Sequence, residues 1–336
     1  MFVDFLSTTL ELTSDQAILN EFTRSISLLS FSFIVLFLAI VVGVSAGLDL
    51  MDDYETVAHI SQSMTFALFV VSVSISWGCL YGPRLAAHRL PGGYSVWTAG
   101  FVQLYSTIGK IHKHYPGLRW YYIAITLSNA AIGALLVISM TFLTYQLNFS
   151  SQDIGTCVTL MLLFSIPGAA ISFCFNKRNN PLNSSILSLV AMCIVDTLVA
   201  IVLKEPGQEM DAYLLSSAWG VAMGWNFTCD RMMIASLIPA GQEAELMGLF
   251  LFAGQALNWL PPLIYTSLNE ANVSSRVGVA MLNIFFLLGI VCYLCMGSYA
   301  KALLEAAGRT NNPAVDNAAV EVKSKKENEA RDADNR

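Results

Sequence analysis

Eight times along this 336-residue chain a run of mostly apolar residues is long enough, at about 20 residues, to cross a hydrocarbon layer about 30 Å thick as a helix. The windows are Ile26 to Leu48, Val57 to Leu80, Trp120 to Tyr145, Ile154 to Phe175, Ser185 to Leu203, Tyr213 to Ile238, Met247 to Leu268 and Val277 to Tyr299. Lipid offers no partner to a bare N–H or C=O, so runs this long and apolar are predicted to span as helices, which satisfy their backbone internally. The expected fold is all-α, a polytopic bundle of eight transmembrane helices. Charged residues make up 12% of the chain, against roughly 25% in a soluble domain, which excludes an ordinary soluble enzyme.

Lysine and arginine accumulate on the cytosolic side of a membrane, and the loops divide accordingly. Gly82 to Arg119 carries Arg84, Arg89, Lys110, Lys113 and Arg119 with no acid, and Lys177 and Arg178 follow the fourth span. Asp52, Asp53 and Glu55 lie in an alternate loop, and Lys204 in another. Both termini are therefore expected in the cytosol. Met1 to Glu21 holds Asp4, Glu11 and Asp15 and lacks the basic start and small-residue cleavage site of a signal peptide.

The expected organisation is a cytosolic segment over 1–25, two spans over 26–80, a cytosolic linker over 81–119, a six-helix unit over 120–299 and a disordered cytosolic tail over 300–336. In the linker, Trp97, Phe101, Leu104, Ile108 and Ile111 recur three or four residues apart, which predicts an amphipathic helix at the membrane surface. The tail has too little apolar surface to pack.

Ionisable groups at bilayer depth are costly and mark functional candidates, here His59, Asp196, Asp230 and Arg231. His59 stands near the acidic loop and is expected to snorkel. Asp196, near the middle of the fifth span, stays protonated, finds a partner or faces water, and is the coupling candidate. Asn226 and Asp230 are four apart and share a helix face, whereas Asp230 and Arg231 diverge by about 100°. Gly220, Gly224 and Thr228 give the small-residue spacing of close helix packing. Gln255, Asn258 and Trp259 precede Pro261 and Pro262, which predicts a broken helix of the kind that lines transporter cavities. With Asn129 and Asn226, those three polar residues are the substrate-lining candidates. Of four glycosylation sequons, only Asn148 and Asn272 fall in the alternate, non-cytosolic loops.

No nucleophile with a matching base, no phosphate loop and no metal-ligand spacing emerges, so no enzyme, cofactor or metal is expected. Seven cysteines lie in or beside the apolar runs and predict no disulfide framework; the Cys292-x-x-Cys295 pair reads as two small thiols. With a net charge of −6 and no basic stripe, nucleic acid is not an expected partner.

The strings Gly220-x-x-x-Gly224, Arg231 and Ile238-Pro239-Ala240-Gly241-Gln242-Glu243-Ala244-Glu245-x-x-Gly248, with Ile166-Pro167-Gly168-Ala169, Trp77 to Arg84 and Gln103 to Tyr115, carry a resemblance. The chain resembles the autophagy-related vacuolar amino-acid effluxers, a branch of the major facilitator superfamily, over roughly residues 10 to 300. The resemblance implies twelve spans in two halves, of which these eight correspond to the fifth to twelfth: a complete C-terminal half plus two helices of the other. The first four spans of the pattern are absent. An Asp-Gly-x-Gln-Thr-like element is replaced by Asn129-Ala130-Ala131-Ile132-Gly133, and the basic motif is thinned to Asn176-Lys177-Arg178-Asn179-Asn180. Pro239 and Gly241 suit a tight cytosolic turn, with Glu243 and Glu245 in the next helix's first turn. Pairing of those acids with Arg231, Lys177 or Arg178 would latch a cytosolic gate.

The resemblance implies a vacuolar-membrane transporter moving amino acids toward the cytosol in autophagy, with lipid and a small-molecule substrate as partners and an oligomeric state the sequence does not give. The alternative is a non-transporting scaffold or regulatory protein derived from such a transporter.

Overall fold

A computed structural model describes residues 16–47, 54–75, 77–78, 96–178, 180–238 and 243–306. Among these residues the chain forms helices and no strand: α1 Gln16–Gly47, α2 Tyr54–Ile75, α3 Val96–His114, α4 Pro116–Leu147, α5 Ser151–Arg178, α6 Pro181–Val202, α7 Glu209–Leu237, α8 Glu243–Ala256, α9 Leu260–Glu270, α10 Ser275–Ala280, α11 Leu282–Met296 and α12 Tyr299–Ala306. The protein is an all-α polytopic membrane bundle.

Six stretches are long and apolar enough to span: Thr56–Ile75, Pro116–Leu147, Gln152–Asn176, Pro181–Val202, Glu245–Glu270 and Ser275–Met296. The other two expected spans are helical but fall below that measure among the described residues. In α1 the apolar part is Leu28–Val41. The helix α7 is 29 residues long, about 44 Å at 1.5 Å per residue, but it carries Asn226, Asp230 and Arg231. Buried among α5, α6 and α1, it needs no apolar surface toward lipid.

Local chemistry sets the ends of these helices. Pro116 and Pro181 open α4 and α6 at a first-turn position where a missing N–H costs nothing. Asn148 closes α4 at φ 53°, a left-handed conformation that asparagine tolerates better than most residues, and Asn272 does the same after α9 at φ 57°. The backbone thus accounts for asparagine at both of these sequons. Ser150 and Asp153 form a reciprocal capping box on α5, each accepting the other's backbone N–H at 3.2 Å. Tyr213 donates to Asp153 Oδ1 at 2.9 Å and ties α7 to α5 at that end.

The bundle has two faces. One carries the linker helix α3, the start of α4 at Pro116, the end of α5 at Arg178 and the start of α6 at Pro181; the other carries the connections at 148–150, 203–208 and 271–274, where Arg276 joins Lys204, its Nη2 donating to the Lys204 carbonyl at 3.2 Å. The parallel pair α5 and α7 forms the tightest contact. A Cβ on Gly168, Gly220 or Gly224 would overlap the carbonyl oxygen of Val221, Met161 or Ser165 respectively. The four-residue glycine spacing therefore serves backbone-to-backbone packing.

Two elements lie outside the tight bundle. No residue of the Thr56–Ile75 span is buried, and His59 on it is exposed. The linker helix forms over Val96–His114 and rests on α4, with Thr107 and Ile111 buried and Tyr105 exposed. The disordered tail expected over 300–336 is corrected at its start, because residues 300–306 continue α12 and bury Ala302 and Glu305; residues 307–336 and the Pro239 to Gln242 turn lie outside the described residues.

Candidate functional site

The span Glu245–Glu270 breaks where the prolines require it. Pro261 and Pro262 cannot donate to the carbonyls four residues earlier, so α8 stops at Ala256 and α9 restarts at Leu260. The intervening turn tightens to three-residue bonds, Asn258 N–H to Gln255 O at 3.2 Å and Leu260 N–H to Leu257 O at 3.0 Å. That turn points the amides of Gln255 and Asn258 into a cavity of about 540 Å³, within the roughly 300–1,000 Å³ of small-molecule sites.

The cavity lies between α1, α4, α5, α7 and α8, with Asn129, Asp230, Arg231, Gln255 and Asn258 as its polar walls. Two glycines fix the amide side. Gly133 faces Asn258, whose Nδ2 would lie 2.8 Å from a Cβ there, and Gly254 faces Asn129, with Nδ2 at 3.1 Å. Each asparagine on one helix thus fits over a glycine on the other. Asn258 Nδ2 donates to Gln255 Oε1. The Oδ1 atoms of Asn129 and Asn258 are buried with no hydrogen-bond partner, and buried acceptors left this way attract a donor. The rest of the wall is apolar and soft, including Met161, Met223, Phe227, Met247 and Phe250.

Asp230, 1% exposed, joins this wall to a buried network. Tyr293 donates to its Oδ1 at 3.1 Å, and Asn226 Nδ2 to its Oδ2 at 2.9 Å. Ser188 donates to Asn226 Oδ1 at 2.8 Å, and Tyr121 to the Asp230 carbonyl at 2.7 Å. Four helices, α4, α6, α7 and α11, are joined through these side chains, so the carboxyl at the cavity edge is rigidly held.

Of the five lining candidates, Asn129, Gln255 and Asn258 meet at this cavity. Asn226 is fully buried in the Asp230 network instead, and Trp259 is 61% exposed with its Nε1 donating to Ala256 O at 3.1 Å. Arg231 lines the cavity. Asp196, near the middle of its span, lies elsewhere, in the second half of α6 beside a second and smaller chamber. Glu245 is half-buried with Oε1 lacking a partner, while the side chains of Glu243, Lys177 and Arg178 lie outside the described ones. Asn283 donates to Thr197 Oγ1 at 3.2 Å and joins α11 to α6. Sequence reasoning missed Tyr121, Ser188, Tyr293, Gly133 and Gly254. The glycine partners carried a signal: Gly133 follows Asn129 by four residues and Gly254 precedes Asn258 by four, a repeat that only helix pairing makes meaningful.

The family model described as vacuole effluxer Atg22 like matches residues 12–306, which takes in every helix that builds the cavity. The chain belongs to this vacuole effluxer Atg22-like family. A search of curated proteins finds no significant match. Membership in the effluxer family makes the chain a membrane transporter by class, and the match runs through the Ile238 to Gly248 string and the broken α8–α9 span alike.

Proposed function

We propose that the chain moves amino acids from the vacuole lumen to the cytosol during autophagy, by alternating access around the 540 Å³ cavity. The observation that carries this reading is the polarity of the cavity wall. A zwitterionic amino acid needs acceptors for its ammonium and a cation for its carboxylate. The partnerless Oδ1 atoms of Asn129 and Asn258 supply acceptors, and Arg231 on α7 supplies the cation. Methionine and phenylalanine between them suit side chains of varied shape, because thioethers repack readily.

In this reading the membrane is the vacuolar one, crossed in several passes in the manner of the major facilitator superfamily. The basic-loop face is cytosolic, as the distribution of lysine and arginine favours, and both termini lie there. Glu243 and Glu245, pairing with Arg231, Lys177 or Arg178, act as the cytosolic latch, and charge reversal at Glu243 is expected to change flux. Lipid and amino acids are the partners.

The test is uptake of labelled amino acids into liposomes holding the full chain, with a labelled hexose as comparison. Saturable amino-acid flux is expected, falling about tenfold in kcat/KM, or 1.4 kcal/mol, in Asn129→Leu. Flux of neither solute would refute transport and leave the scaffold alternative standing. Equal flux of hexose would refute the amino-acid assignment.

A further inference from the structure

A second chamber of about 60 Å³ lies between α4, α5, α6 and α7, toward the acidic-loop face. It has room for about two to four water molecules. Asp196 lines it, 0% exposed, and neither of its carboxyl oxygens has a hydrogen-bond partner. The Trp219 indole N–H on α7, also on the wall, is buried and equally without a partner. Ser139 and Ser216 complete the polar lining. Three buried polar atoms without partners around one void are what water would satisfy, and a charged carboxylate left bare there is too costly to persist.

The ligand chemistry follows from the donor set. A metal ion requires several oxygens and no facing donor, whereas here the wall that holds the carboxyl also holds Trp219, whose indole N–H is without a partner. That arrangement suits water and a proton. The titratable surroundings are Cys193 on α6 itself and Cys157 on α5, which interact with or face the same region, and the hydrogen-bonded pair Asp153 and Tyr213 at the acidic-loop end, whose charge reaches Cys157. From α7 come Trp219 and Ser216, and from α4 Ser139, none of them acidic or basic. The helix α11 brings Asn283 to the neighbouring Thr197. The basic groups of α10 and the α6 terminus, Arg276 and Lys204, lie two turns further on.

The chamber is also next to the substrate cavity. Leu136 and Met161 line both, so two apolar side chains form the septum between them. We propose that Asp196 is a proton-binding carboxyl in a hydrated chamber, separated by the Leu136–Met161 septum from the substrate cavity and filled from the acidic-loop side. On release the carboxyl O–H bond breaks and the proton passes to a chamber water, leaving the carboxylate to accept from Trp219 and water. Its use for coupling rests on the transporter reading; its proton binding does not.

The test uses the full chain in liposomes. Infrared difference spectra across a pH titration should show a protonated-carboxyl band that fades as pH rises, is missing in Asp196→Asn and is shifted in Asp196→Glu. A titrating band identical in wild type and Asp196→Asn, or no titrating band, overturns the proposal. Should the asparagine variant fail to fold, adducts of dicyclohexylcarbodiimide mapped on the wild-type chain decide instead. Adducts on Asp196 that decline as pH rises support it, and adducts that are absent or independent of pH overturn it. Amino-acid flux is read separately, so a chain that transports while Asp196 does not titrate refutes the proton site alone, and one that titrates without any flux refutes the transporter reading.

Discussion

Asp230 shows how one residue can serve two neighbourhoods. Its carboxyl is on the wall of the cavity, yet its two oxygens accept from Tyr293 at 3.1 Å and Asn226 at 2.9 Å. The far end of that chain is Ser188, the donor to Asn226 Oδ1 at 2.8 Å. Ser188→Ala leaves that oxygen buried and unpaired, which is expected to cost about 1–3 kcal/mol. A lower melting temperature in detergent checks it, and an unchanged one would mean that water or a side-chain rotation replaces the hydroxyl. The sequence offered Asn226 and Asp230 as a shared face at four-residue spacing, and that pairing is present. It could not offer Tyr121 or Tyr293, because those partners are more than 60 positions away in the chain, on helices whose rotation is fixed only by packing. Asn129 and Asn226 read alike as polar residues in apolar runs, but burial separated them: one faces the cavity and the other is saturated by serine and aspartate.

At the scale of elements, the contact between α5 and α7 is decided by glycine. The Cβ of any larger residue at Gly224 would enter the Ser165 carbonyl, and backbone cannot yield as a side-chain tip can. Gly224→Leu is expected to destabilise the chain by about 1–3 kcal/mol or more, since over-packing at a helix interface forces the helices apart. Thermal unfolding of the full chain in detergent measures this, with Gly248→Leu as a control, because a Cβ at Gly248 meets nothing within 4 Å. Equal losses in the two variants would show that glycine helps through the unfolded chain and not through packing. The smaller α12 is held by a different device. Glu305, 6% exposed, accepts the Gly117 N–H at 3.1 Å and so caps α4, and Tyr299 donates to Ser236 at 2.7 Å. Glu305→Ala is expected to cost about 1 kcal/mol by exposing the first-turn N–H groups of α4. Limited proteolysis after α11 should accelerate in that variant.

At the scale of the whole molecule, the cavity depends on two helices keeping matched spaces for each other's amides. Gly133→Leu places a side chain where Asn258 stands, its Nδ2 only 2.8 Å from the new Cβ. Amino-acid kcat/KM is expected to fall about tenfold, or 1.4 kcal/mol, while melting temperature changes little because what the new side chain displaces is the Asn258 side chain, which the cavity beside it has room to take. A matching loss of stability would assign Gly133 to packing and remove it from the cavity argument.

The periodic apolar runs, the position of the break before Pro261 and a close helix approach at Gly220 and Gly224 were legible in the sequence, because each follows from local backbone chemistry or from the thickness of a bilayer; that α5 is the partner was not. The division of polar residues was not. Whether Asn129 lines a cavity, Asn226 braces a network, Trp259 faces outward or Asp196 closes a chamber depends on how each helix is rotated about its axis. That rotation is set by neighbours far away in the chain, and only the assembled bundle fixes it.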